Sequence, residues 1–90
     1  MDVNRHYRLA RAAAVRPERF GGLVYHHQTR SLICLRSPAL ADFVRGLDGS
    51  RRLGEALDEW AHAGRLPPGG RAELLSALAQ LERMELLDEL

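Results

Sequence analysis

Two adjacent histidines, His26 and His27, stand a few residues before the single cysteine, Cys34. That trio invites a metal or thiol chemistry. Neighbouring residues on a strand point to opposite faces, so the two imidazoles do not share an ion. Cys34 adds one ligand at best, and structural zinc takes four. Ile33 and Leu35 flank Cys34, and a cysteine among apolar neighbours is expected to be a small core residue with an unreactive thiol. Glu55, Asp58 and Glu59 fall on the polar side of a helical pattern and read as a solvated face. Gly69-Gly70 precedes a helix but lacks the other glycines of a phosphate loop. No catalytic residue, metal or cofactor is assigned, and the chain reads as a binding module rather than an enzyme.

Composition narrows what it binds. Ninety residues make one domain, residues 1–90, with residues 1–12 expected as a flexible arm. One cysteine excludes an internal disulfide and fits a reducing compartment. No apolar run approaches the ~18 residues that span a bilayer. The expectation is therefore a cytoplasmic protein with no membrane partner. All 13 basic residues are Arg, which reflects GC-rich coding. The net charge of +1 hides an asymmetry. Residues 1–36 carry seven Arg against Asp2 and Glu18, a net of +5. Residues 37–90 carry six Arg against ten acids, a net of −4. The basic half attracts acidic partners at short range.

The elements follow from periodicity. Val15-Arg16-Pro17 reads as extended, because the residue before proline leaves the α region, so Ala13–Arg16 is a first strand. Leu23–His27 and Ser31–Arg36 are the next two, joined by the polar break His27-Gln28-Thr29-Arg30. Ser37 caps a helix with Pro38 at its first position. Leu40, Phe43, Val44 and Leu47 form its buried face, and Asp48-Gly49 ends it. Ser50 is placed as the cap of a second helix, with Leu53, Ala56, Leu57, Trp60 and Ala61 inward and Gly64 as its stop. Leu66-Pro67-Pro68-Gly69-Gly70 is a linker. A third helix runs from about Arg71 to Glu85, with Leu74, Leu78 and Leu81 on its inner stripe. The fold class is α+β: a small three-stranded antiparallel sheet followed by three helices, a winged helix-turn-helix arrangement.

Such an arrangement also suits a winged-helix DNA-binding regulator, the alternative reading. The outward side of the third helix carries Glu73, Glu82 and Glu85 against Arg71 and Arg83, a poor surface for phosphates. No nucleic acid is expected. Peptide recognition fits better. A free sheet edge is a template for an added strand, and a groove beside it supplies side-chain pockets. The expected peptide-binding residues are Ser31, Leu32, Ile33, Cys34, Leu35 and Arg36 on the strand. Arg71, Leu75, Leu78 and Ala79 are expected to contribute from the third helix.

The succession Arg16-Pro17-Glu18-Arg19-Phe20-Gly21-Gly22-Leu23-Val24-Tyr25-His26, then Thr29-Arg30-Ser31-Leu32 and Ser37-Pro38-Ala39-Leu40, resembles one family. It is that of the peptide chaperones of mycofactocin biosynthesis, a PqqD-like branch of the recognition elements for ribosomally made, modified peptides. The resemblance covers nearly the whole chain. Two positions depart from the PqqD-like pattern: Ser37 stands where Asn is common, and Glu85 where Gly commonly precedes the hydrophobic pair Leu86-Leu87. The resemblance implies a non-catalytic adaptor. It would bind the acidic leader of a precursor peptide between the third strand and the third helix. It would then deliver that precursor to a radical S-adenosylmethionine maturase, which carries its own iron–sulfur clusters.

Overall fold

The computed structural model describes residues 1–66 and 69–90. Of the expected linker, Pro67 and Pro68 lie outside them. Three strands, β1 (His6–Leu9), β2 (Ala13–Glu18) and β3 (Gly21–His26), lead to β4 (Leu32–Leu35) and helix α1 (Pro38–Arg45). Then come β5 (Asp48–Arg52), α2 (Leu53–His62), α3 (Gly70–Arg83) and β6 (Leu87–Glu89). They form two antiparallel sheets, ordered β2-β3-β4 and β5-β1-β6. No helix among the described residues is long and apolar enough to cross a membrane.

The α+β architecture and the β2-β3-β4 sheet agree with the sequence reading. The second sheet corrects it in three places. Residues 6–9, expected within a flexible arm, form the middle strand of β5-β1-β6. Tyr7 is 2% exposed, and its hydroxyl donates to Glu89 Oε1 at 3.2 Å and accepts from the Asp2 amide at 3.0 Å. Ser50 does not cap α2. It lies in β5, where its amide and hydroxyl both donate to the Asp48 carboxylate. Helix α1 stops at the Gly46 cap, ahead of Asp48-Gly49. These strands are three to five residues long, and each pairs with a segment tens of residues away. No local periodicity marks them.

The two glycines that begin β3 set how closely the layers meet. Gly21 has φ +146°, and a Cβ there would lie 2.1 Å from the Leu35 carbonyl oxygen. A Cβ on Gly22 faces that of Ala41 in α1 at 3.0 Å. Helix α1 thus lies on one face of β2-β3-β4, with Phe43 and Val44 buried beneath it. Ser37 caps the helix as expected, its Oγ accepting from the Leu40 amide.

The C-terminal departure is also resolved. Glu85 takes the left-handed conformation, φ 62°. Its amide donates to the Glu82 carbonyl, and the Leu86 amide reaches back to that of Leu81. This is a Schellman turn with Glu in the position that favours glycine. The turn stops α3 and buries both Leu86 and Leu87 before β6 joins β1.

Replacing Glu85→Gly is expected to raise stability by about 1 kcal/mol, by removing the left-handed strain. Gly21→Ala is expected to cost more than ~2 kcal/mol, because backbone blocks the new Cβ. Urea unfolding checks both. Acid and base test the second sheet. The Ser50 hydroxyl and amide hold Asp48 below its ordinary 3.8, so its contribution is complete above that pH and lost on further acidification. Burial, with Glu82 and Glu89 nearby, raises Tyr7 above 10.0, so its contribution fades as the pH climbs past 10. A stability–pH profile without both limbs contradicts these assignments.

Candidate functional site

Strand β4 is an edge, with β3 on one side and, among the described residues, no strand on the other. The ladder fixes which of its groups are free. The His26 amide donates to the Ser31 carbonyl at 2.9 Å, making 26 and 31 a hydrogen-bonded pair. Alternation along an antiparallel ladder then bonds Ile33 to Val24 and Leu35 to Gly22, in the observed register. On the other side of β3, the His27 amide donates to the Ala12 carbonyl, which is the complementary alternation. The N–H and C=O groups of Leu32 and Cys34 therefore point outward.

The loop that aims this edge is held by His26. Its ring is buried, and Nδ1 accepts from the amides of Gln28 and Thr29, each at 3.1 Å. The proton consequently sits on Nε2. His27 is exposed on the opposite side. Arg30 closes the loop with φ 63° and donates its amide to the His26 carbonyl. Its side chain and that of Arg36 stand exposed at the two ends of the strand.

The structure separates the expected residues by burial. Leu32 is 57% exposed. Cys34 is exposed as well, which corrects its reading as a core residue. Its apolar neighbours Ile33 and Leu35 take the inward positions, and strand alternation turns Cys34 out. Leu35 and Leu78 are core. Ile33 and Leu75 are half-buried against that core, Ala79 is half-buried, and Ser31 lies half-buried at the head of the strand. Arg71 does not reach toward the edge; its guanidinium donates to Asp58 Oδ1 of α2 at 2.7 Å.

A cleft of about 80 Å³ lies between the start of α1, just after β4, and the start of α3; none of the expected peptide-binding residues lines it. Ser37, Ala39 and Leu40 form one wall, and Gly70, Glu73 and Leu74 the other. Trp60 and Leu66 complete it. Leu40, Trp60 and Leu74 carry a helical core spacing in the sequence, so nothing there separated cleft from core. Trp60 meets Phe43 edge to face at 5.2 Å and carries the Arg65 guanidinium 4.5 Å above its ring. The cleft lining is thus mostly apolar, with Ser37 and one carboxylate, Glu73; Arg65 stacks on its Trp60, while Arg30 and Arg36 flank the strand.

Comparison with known proteins bears on most of the chain. A family model described as "Peptide chaperone MftB family" matches residues 6–88. The peptide chaperone MftB of Mycobacterium ulcerans (strain Agy99) is 46% identical over 46 residues. That match covers 51% of this chain and 42% of the relative, less than half its length. No solved structure matches.

The ladder assignment makes a stability prediction. Proline lacks the amide donor. Ile33→Pro is expected to cost more than ~2 kcal/mol, because its N–H bonds to β3. Leu32→Pro and Cys34→Pro are expected to cost clearly less, since water alone meets their donors. Equal losses in thermal unfolding would mean the alternation is assigned the wrong way round.

Proposed function

The chain belongs to the peptide chaperone MftB family, and we propose that it binds the acidic leader of a ribosomally made precursor by strand addition along β4. It then presents that precursor to a radical S-adenosylmethionine maturase in mycofactocin biosynthesis, in the cytoplasm. The role is non-catalytic. The observation that carries the reading is the free edge of β4, with the backbone groups of Leu32 and Cys34 open between exposed Arg30 and Arg36.

Magnitudes assign the parts. Two N–H and two C=O groups accept at most a short added strand. Hydrogen bonds worth about 0.5–1.5 kcal/mol net each roughly balance the 2–5 kcal/mol that ordering a flexible segment costs. The edge therefore supplies geometry, and side chains supply affinity. Leader side chains on the core side meet half-buried Ile33 and run toward the cleft at Leu40 and Leu74. Leu75 and Ala79, half-buried on α3, are further candidate contacts, while Leu35 and Leu78 are buried in the core. Glu73 disfavours acidic groups there. Acidic leader residues belong instead at the strand ends, with Arg30 and Arg36. Arg71 joins them only by leaving Asp58, an exposed pair that costs little to break. Holding the leader raises the effective concentration of the precursor's reactive end near the enzyme.

Isothermal titration with the precursor peptide, with and without its leader, tests the reading. Leu32→Pro and Cys34→Pro are expected to stay folded and lose at least tenfold in leader affinity. Arg30→Glu/Arg36→Glu is expected to weaken binding, and to flatten its decline between low and high salt. Parent-like leader binding in the folded proline variants would exclude strand addition.

A further inference from the structure

Helix α1 covers one face of β2-β3-β4. On the other face every described side chain of the three strands is exposed or half-buried. A solvated sheet face normally carries polar side chains. Here the cross-strand register places Leu23 beside Cys34 and Tyr25 beside Leu32 on that open face, with Ala14 next to Tyr25. Leu32 and Cys34 are exposed, and the other three are half-buried. His27 leans edge-on against Tyr25, with ring centroids 5.2 Å apart, and extends the patch past the strand end.

The rim is cationic. Arg11 and Arg30 lie in the turns at one end of the sheet, and Arg19 and Arg36 at the other, all exposed. None of these four has an ion-pair partner among the described residues. Glu18 is the one acid of β2, β3 and β4, and it is held by Arg16 at 3.1 Å. Strand spacings make the apolar centre roughly 15 Å on a side. With its rim, that suits a transient interface.

We propose that this open face is a second docking surface, for a folded protein that offers apolar side chains ringed by carboxylates. Its occupant is the maturase that receives the leader, and this assignment rests on the function proposed above. A second copy of the chain is a poor occupant, because two-fold pairing of the face would set one arginine rim against another. A leader added beside β4 lies alongside the sheet and leaves the face open. Edge and face can therefore be occupied together, with Arg30 and Arg36 at the seam between them, which brings the leader-bound precursor to the enzyme.

The test uses the full chain, a synthetic leader peptide and the purified radical S-adenosylmethionine enzyme, with enzyme binding measured both with and without leader. Leu23→Thr/Tyr25→Thr keeps strand-forming residues, and Arg11→Glu/Arg19→Glu changes only exposed charge. Each pair is expected to weaken enzyme binding at least tenfold while leader affinity stays within twofold and the fold is retained by circular dichroism. Unchanged enzyme binding by Arg11→Glu/Arg19→Glu, which does not depend on the packing of the face, overturns the proposal. So does a parent chain that binds leader but not enzyme, or one whose self-association is abolished by Leu23→Thr/Tyr25→Thr. Failure of the parent to bind leader would instead refute the function, and the enzyme measurement without leader would still judge the face.

Discussion

The close approach of Gly21 and Gly22 to their neighbours is the constraint on which the site depends. A side chain at Gly21 would displace the Leu35 carbonyl, and one at Gly22 would press on Ala41. With hydrogen there instead, β3 bonds β4 to the last residue of the strand, and α1 settles on the sheet directly after it. Position and direction of the edge are set together. The strand cannot drift from β3 without exposing Leu35, and the helix cannot lift without uncovering Phe43 and Val44.

From that packing follows a division of labour within a four-residue strand. Ile33 and Leu35 turn their side chains to the core and their backbone groups to β3. Leu32 and Cys34 do the reverse in both respects. An open apolar edge is a hazard for self-association, and here it is short and bracketed by Arg30 and Arg36. The same cations that discourage a second copy favour an acidic peptide, so one arrangement of charge serves both solubility and selection. Surface ion pairs elsewhere, such as Arg45 with Asp42 and Arg51 with Glu59, sit on the helical half and contribute little to stability.

The β5-β1-β6 sheet gathers the two ends of the described chain and its middle into one unit. Arg8 in the central strand lies opposite Asp48 on one side and Asp88 on the other in the register, but forms an ion pair with neither, and its Nε is buried without a hydrogen-bond partner among the described residues. The Schellman turn at Glu85 makes the sheet possible, because it reverses the chain at the end of α3 and drops Leu86 and Leu87 into the core. Glycine would suit position 85 for a physical reason visible in this chain: the backbone there is left-handed.

The sequence by itself determined the elements whose signals are local. Ser37-Pro38 announced α1, the leucine spacing of α3 marked its buried stripe, and His27–Arg30 stood out as the break between β3 and β4. It also determined the basic and acidic halves, since charge needs only counting. Tertiary structure alone decided the second sheet, because strands of three to five residues pair with partners far along the chain and leave no periodic trace. It alone turned Cys34 outward, since an apolar run of four residues does not say which alternate pair faces the core until a helix covers one side. It drew Arg71 to Asp58 and built the cleft from Leu40, Trp60 and Leu74, because residues with one and the same helical spacing become floor, wall or rim only when a second element packs against them.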